Sequence, residues 1–210
     1  IKNQLKNIKK SSKPKKVKTP ISVLPAKSYE EYVPYGNTLI IAPWNYPFQL
    51  AMVPLVSSIM SGNTVILKPS FDETPNVSKV MEKIVQKVFK KELCYVYNEP
   101  ISKIDDLMRL RFDYIFFTGS SAVGKIIMKK AANDLTPVTL ELGGKSPVIV
   151  DDNVDIDFVS KRVAFGKMIN AGQTCIAPDY ILIKKEYTEG FINSYTKYVK
   201  EFFGDEPAQS

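Results

Sequence analysis

Histidine is absent from all 210 residues, which excludes any Cys-His pair or Ser-His-Asp triad drawn from this chain alone. A proton taken up during catalysis would therefore go to a carboxylate, or to a water held by one. Cysteine is almost as scarce. Cys94 sits in a strand-like run and Cys175 in a loop, too few for a disulfide framework or a cysteine metal cluster, so no metal is expected and a reducing, cytoplasmic setting is. No apolar run approaches the roughly 20 residues of a membrane span, and no signal peptide opens the chain, so a soluble protein without an integral membrane segment is expected. The first residue is Ile1 rather than methionine, which suggests a segment or a processed product.

What is present is globular: 44% hydrophobic and 24% charged residues, with length for one domain or for one and part of another. The net charge of +7 invites a nucleic-acid reading until it is located. Eight lysines from Lys2 to Lys18 precede any acidic residue and leave the remainder at −1. A solvated basic arm explains this better than a phosphate-tracking groove, which would interleave aromatics. No nucleic-acid partner is expected.

Along the chain, Ile1 to Ile8 has helical spacing, and Ser11 to Pro20 breaks it. Leu39 to Ala42 is a short strand that stops at Pro43-Trp44-Asn45-Tyr46-Pro47, a loop stiffened by two prolines. Leu50 to Met60 reads as a buried helix capped at Gly62, and Thr64 to Leu67 as a strand running into Lys68-Pro69-Ser70. Pro75 opens a helix to about Lys91, whose expected buried stripe is Val77, Val80, Met81, Ile84, Val85, Val88 and Phe89. A strand at Leu93 to Tyr97, a short helix at Ile104 to Leu110 and a strand at Tyr114 to Phe117 follow. Three βα alternations in succession predict a parallel sheet.

The last of these strands enters Thr118-Gly119-Ser120-Ser121-Ala122-Val123-Gly124-Lys125 and another helix. Glycine at such a turn lets backbone approach a pyrophosphate, and a helix N-terminus favours the anion. The spacing is neither the Rossmann fingerprint nor a P-loop, and a tight turn that needs glycine is an equally good account. Glu141 lies in the apolar run Val138-Thr139-Leu140-Glu141-Leu142. Burial there would raise its pKa toward that of a general base; a salt bridge is the plainer alternative. Ile156 to Ile169 is amphipathic and delivers Asn170-Ala171-Gly172-Gln173-Thr174-Cys175, where Cys175 is either a small buried hydrophobe, the commonest fate of a free cysteine, or a nucleophile; Gly172, Gln173 and Thr174 read as exposed loop and count against the first. Asn45, on its rigid loop, is either an oxyanion donor or a turn-forming residue. A strand at Tyr180 to Ile183 and a helix at Tyr187 to Phe203 close the chain; Phe191, Tyr195, Tyr198 and Phe202 form a core stripe.

Taken together, Pro43-Trp44-Asn45, Lys68-Pro69-Ser70, Phe117-Thr118-Gly119-Ser120, Glu141-Leu142-Gly143-Gly144-Lys145 and Gly172-Gln173-Thr174-Cys175 resemble, in this order, the NAD(P)-dependent aldehyde dehydrogenase superfamily. Pro25 to Tyr29, Asn45-Tyr46-Pro47 and Ala177 to Tyr180 resemble its class 3 branch, which acts on fatty and aromatic aldehydes. The resemblance covers nearly all of this chain but less than half of a family member, implying a central fragment. It implies an α/β fold with a Rossmann-like, doubly wound parallel sheet, incomplete at both ends. The expected division is a basic segment over 1–20, part of an NAD(P)-binding domain over 21–142, and the start of a catalytic domain over 143–210.

By the same resemblance Cys175 is the nucleophile, Asn45 and the Cys175 backbone N–H stabilise the oxyanion, and Glu141 activates water. Lys68 corresponds to the lysine on the adenosine ribose, with Ser70, Trp44 and Leu142 also in the cofactor site, and Gly119, Ser120 and Gly124 form the pyrophosphate turn. The implied cofactor is NAD or NADP, the partner an aliphatic or aromatic aldehyde, and the full-length assembly a homodimer. An inactive fragment serving only as a nucleotide-binding module is the alternative. One departure stands out. The family usually carries Glu three positions after this lysine, to bind ribose hydroxyls, whereas Phe71 stands here, followed by Asp72 and Glu73. Phe71 by itself predicts a weakened NAD preference and use of NADP.

Overall fold

The computed structural model describes residues 2–206. The chain divides into two compact units, one running to Glu141 and the other starting at Leu142.

The first unit is built on a five-stranded sheet of β3 (Asn37–Ile41), β4 (Thr64–Lys68), β5 (Cys94–Val96), β6 (Tyr114–Thr118) and β7 (Val138–Glu141), in the order β5-β4-β3-β6-β7. Every pairing is parallel. Strands that are all parallel need crossover connections, and α2 (Pro47–Met60), α3 (Pro75–Val88) and α5 (Ser121–Ala131) supply them, with the short α4 (Ile104–Leu107) between β5 and β6. β3 reads as a continuous apolar run because it is central: Thr38, Leu39, Ile40 and Ile41 are all buried. Successive side chains alternate faces. Ile40 and Ala42 join Val65, Leu67, Cys94 and Val96 in a core closed by Ala51 and Leu55 of α2 and Met81 and Val85 of α3. Leu39 and Ile41, in register with Ile115 and Phe117, line the other face, which lies on the side of α5. The buried Thr38 hydroxyl is satisfied by Ser58 Oγ at 2.9 Å and the Thr64 carbonyl at 2.9 Å.

Helix starts follow their sequence signals. Pro47 and Pro75 occupy first turns, where the missing N–H costs nothing. Ser120 caps α5 by accepting from the Val123 N–H at 3.3 Å. Three expectations need correction. The stripe of α3 is narrower than predicted: Met81 and Val85 are buried, but Val80, Ile84 and Val88 face outward. The helix also ends at Val88, because Phe89 turns extended. The segment expected to be irregular between Ser11 and Pro20 carries helix and strand residues: α1 runs Lys2–Ser11, and β1 (Lys15–Val17) pairs antiparallel with β2 (Ser28–Glu30). Ile1 lies outside the described residues.

The second unit pairs β8 (Ser146–Ile149) with β9 (Pro178–Leu182) in parallel, joined through α6 (Ile156–Met168) and followed by α7 (Lys185–Phe203). Phe191 and Tyr198 are buried as expected, and their ring contacts run Phe191 to Tyr195 and Tyr198 to Phe202. Asp155 caps α6 through the Asp157 and Phe158 N–H groups. Asp157 ties the two helices together, accepting from the Tyr198 hydroxyl, from Ser194 Oγ at 3.0 Å and from Lys197 Nζ at 3.5 Å.

The Tyr198 hydrogen bond, with those of Ser194 and Lys197, holds the Asp157 carboxyl below its ordinary pKa. A depressed carboxylate pKa stabilises the fold above the unfolded value, and the effect fades as pH falls through the folded one. Asp157→Asn should therefore lower the Tm at pH 7, with the gap to the parent narrowing in thermal scans taken below about pH 4. A gap independent of pH would assign the loss to packing instead.

Candidate functional site

Parallel strands end at one edge of a sheet, and in open α/β sheets ligands bind beyond that carboxyl edge, near the point where strand order reverses. Here the reversal is at β3, flanked by β4 on one side and β6 on the other. The loop after β3 carries half-exposed Trp44 and partly buried Asn45; β4 ends in Lys68, followed by Ser70; β6 runs into Gly119, Ser120 and Gly124; and β7 ends on Glu141. Eight sequence-nominated residues of the first unit thus share one edge. Backbone hydrogen bonds lock it: the Ala42 N–H donates to the Lys68 carbonyl at 2.9 Å, and the Gly119 N–H to the Glu141 carbonyl at 3.0 Å.

Lys68 is 2% exposed, against the ordinary solvated fate of a lysine. Its Nζ donates to the Glu99 carbonyl at 2.9 Å and reaches the Pro69 carbonyl at 3.5 Å. Desolvation lowers its pKa, opposed by the nearby carboxylates of Asp72, Glu73 and Glu99. Gly119 is required by the turn, since a Cβ there would lie 2.6 Å from the Phe117 ring. Gly124 is buried in the first turn of α5 and donates to the Ser120 carbonyl at 2.9 Å. The N-terminal amides of α5, beside a glycine turn, suit an anionic group. Glu141 differs from expectation. It is the last residue of an edge strand and is exposed.

In the second unit α6 ends at Met168, and a tight turn over Ile169–Gly172 follows. Asn170, Ala171 and Gly172 all have positive φ, at 51°, 52° and 74°. Asn and Gly tolerate this region, whereas Ala171 is strained by something on the order of 1 kcal/mol. The Gln173 N–H closes the turn on the Asn170 carbonyl at 3.0 Å, and the Ala177 N–H reaches the Thr174 carbonyl at 3.0 Å. The second of these bonds spans Cys175 and presents it to solvent. Cys94, by contrast, is buried in the core, where desolvation pushes its thiol up to about 11. Of the two thiols, only Cys175 has the access that a nucleophile needs.

Gly144 was not singled out by sequence reasoning beyond its place in a glycine pair. A Cβ on it would sit 2.5 Å from the Cys175 carbonyl oxygen, so the strand leading to β8 approaches the cysteine loop closely. Leu142 is half-buried at the start of this unit. Among the described residues no group of three or more His, Cys, Asp and Glu is placed to hold a metal, and no helix is long and apolar enough to cross a membrane.

A parallel sheet with this edge, followed by an exposed cysteine on a glycine-rich loop, is an α/β scaffold of the class that binds ligands at its carboxyl edge. The aldehyde dehydrogenase family model matches residues 6–210, and the chain belongs to that family. It is 48% identical over 210 residues to 4,4'-diaponeurosporen-aldehyde dehydrogenase of Staphylococcus aureus, covering 100% of this chain and 46% of the relative. Against human aldehyde dehydrogenase family 3 member B1 the identity is 43%, covering 98% and 44%. Among solved structures, a substrate-bound Staphylococcus aureus AldH superposes with a TM-score of 0.94 at 47% identity, covering 100% of this chain and 45% of that one. A Mycobacterium tuberculosis aldehyde dehydrogenase complexed with NAD+ gives 0.83 at 26%, covering 95% and 41%. The chain therefore spans less than half the length of these relatives.

Alkylation separates the two roles of the glycine pair. Under native conditions iodoacetamide should modify one thiol per chain, absent in Cys175→Ser, and two after denaturation. Gly144→Ala should change the Cys175 alkylation rate severalfold by displacing its carbonyl, whereas Gly143→Ala, with nothing within 4 Å of its Cβ, should leave the rate within about twofold.

Proposed function

We propose that the protein to which this chain belongs oxidises an aldehyde to a carboxylic acid, using NAD+ or NADP+ as the oxidant. The observation that carries this is the exposed Cys175 on its strained, glycine-rich loop, in a chain with no histidine and with its other cysteine buried. The solved relative in complex with NAD+ supports the cofactor, and the curated relatives' names support the aldehyde.

The Cys175 thiolate attacks the carbonyl carbon, forming a C–S bond and an alkoxide. The Asn45 amide and the Cys175 backbone N–H stabilise that oxyanion as donors. A bound nicotinamide would supply the two-electron acceptor: loss of hydride from the alkoxide carbon breaks its C–H bond, restores the C=O bond and leaves a thioester on Cys175. Glu141 takes a proton from water, the hydroxide adds to the thioester, and the C–S bond breaks to return the thiolate and release the acid. The exposure of Glu141 suits a base that must meet solvent water.

A bound dinucleotide would be held on its adenosine side by Lys68 and Ser70 and at its pyrophosphate by the α5 amides that Gly119, Ser120 and Gly124 leave accessible, with Trp44 and Leu142 assigned to the same cofactor site. Residues 21–142 are read as the nucleotide-binding part, residues 143–210 as the start of the catalytic part, and 1–20 as a basic lead-in. Cytoplasmic location and homodimerisation complete the proposal.

Rapid mixing with NAD(P)+ and a medium-chain aldehyde tests it. The parent should give a burst of reduced cofactor absorbance stoichiometric with protein, and Cys175→Ser none. Glu141→Gln should keep the burst yet lose steady-state turnover by about 100-fold or more, because only thioester hydrolysis needs the base. Cofactor and aldehyde binding with no burst from the parent would favour a nucleotide-binding module without catalysis.

A further inference from the structure

The loop after β4 and the loop after β5 are stitched together around the buried ammonium of Lys68. Its Nζ donates to the Glu99 carbonyl at 2.9 Å, the Ile101 N–H donates to Asp72 Oδ2 at 2.8 Å, and the Tyr97 N–H donates to the Leu67 carbonyl at 2.8 Å. The charges of three carboxylates, Asp72, Glu73 and Glu99, act on the lysine, and they are not equivalent. Glu99 is neutralised by Lys103 at 2.6 Å, and Asp72 is engaged by the Ile101 backbone. Glu73 takes only the Ser70 hydroxyl, through Oε2 at 2.5 Å. Among the described residues its other oxygen accepts no hydrogen bond, and its charge is not met by a salt bridge.

A carboxylate oxygen with lone pairs to spare, acting on a lysine whose ammonium has a third N–H beyond those on the Glu99 and Pro69 carbonyls, suits a vicinal diol: the oxygen accepts one or both hydroxyls and the ammonium donates. It is the wrong site for a phosphate. The two loops carry Lys68 and Lys103 against Asp72, Glu73 and Glu99, and no arginine. A 2′-phosphate, adding close to two negative charges, would meet a carboxylate where it needs a guanidinium. Phe71 is half-buried on the same loop, and the backbone that follows it returns: the Thr74 N–H closes on the Ser70 carbonyl at 2.9 Å. That turn brings the side chain two positions beyond Phe71 back to Ser70.

We propose that Glu73, held on Ser70, is the carboxylate that reads the adenosine ribose hydroxyls beside Lys68, making the site selective for NAD+ over NADP+ despite Phe71. This rests on the dinucleotide reading of the β-sheet edge given above. It reverses what Phe71 alone predicts, because a neighbour delivered by the turn supplies the acceptor that position 71 lacks.

Calorimetric titration of the full-length protein with NAD+ and with NADP+, without aldehyde, tests the assignment. Glu73→Gln keeps an oxygen for Ser70 and removes only the charge, and circular dichroism checks that the fold is retained. The parent should bind NAD+ at least tenfold more tightly than NADP+. In Glu73→Gln that ratio should fall by roughly 10- to 100-fold, the range for one charge-assisted hydrogen bond, with NAD+ weakened and NADP+ strengthened. Equal affinities in the parent, or an unchanged ratio in Glu73→Gln while both nucleotides still bind, would overturn the role of Glu73 and leave the dinucleotide reading standing. If neither nucleotide bound the parent, both would fall.

Discussion

The backbone hydrogen bonding of β3 is the constraint on which the first unit depends. β3 is paired on both sides in parallel, to β4 through Asn37–Ile41 and to β6 through Thr38–Ile41, so its peptide groups are committed to neighbours that run the same way. That choice forces helical crossovers and places every strand's carboxyl end on one edge. Residues far apart in the chain, Asn45, Lys68, Gly119 and Glu141, come to one edge for this reason alone. The apolar packing of Ile40, Leu67 and Val96 with α2 and α3 supplies the driving force, while the parallel register decides where the polar groups finish.

Much of this was legible because the local signals agree with the global fold. The continuous runs of β3, β4 and β6, the prolines that open α2 and α3, and the glycine turn before α5 each carry their own mechanism, and their alternation dictates a parallel sheet. Less legible was everything that depends on what lies across the sheet or beyond the chain's own contacts. Val80, Ile84 and Val88 continue a helical stripe in sequence but fall on the outward side of α3, since periodicity gives the width of an apolar face and not how much of it is covered. The short β1–β2 hairpin was hidden because lysine-rich residues carry no strand signal, and only its cross-strand pairing defines it.

The site divides along the same line. Cys175 announced itself through the glycines around it. Glu141 reads in the sequence as lying inside an apolar run, buried as a base or paired in a salt bridge; the structure makes it the exposed last residue of β7, because the sequence shows apolar neighbours without showing that β7 is an edge strand and that the chain leaves the sheet there. Lys68 went the opposite way. A lysine after a strand is ordinarily solvated, and its burial depends on the Glu99 carbonyl, 31 residues later, a partner that no local pattern encodes.

Two cysteines of the same chain illustrate how environment, rather than residue type, assigns chemistry. Cys94 is in register with Val65 and shares its core with Val85; burial disfavours its thiolate, so it is a small hydrophobe. Cys175 follows three consecutive residues of positive φ and sits where the backbone of Gly144 approaches so closely that no side chain fits. A left-handed Ala171 in such a place is tolerated only if the surrounding structure over-determines it. Here the turn bonds of Gln173 and Ala177 do so on either side of the thiol. The strain and the glycine contact act together to constrain the backbone that carries the thiol, and a nucleophile needs such a constraint before its proton is considered at all.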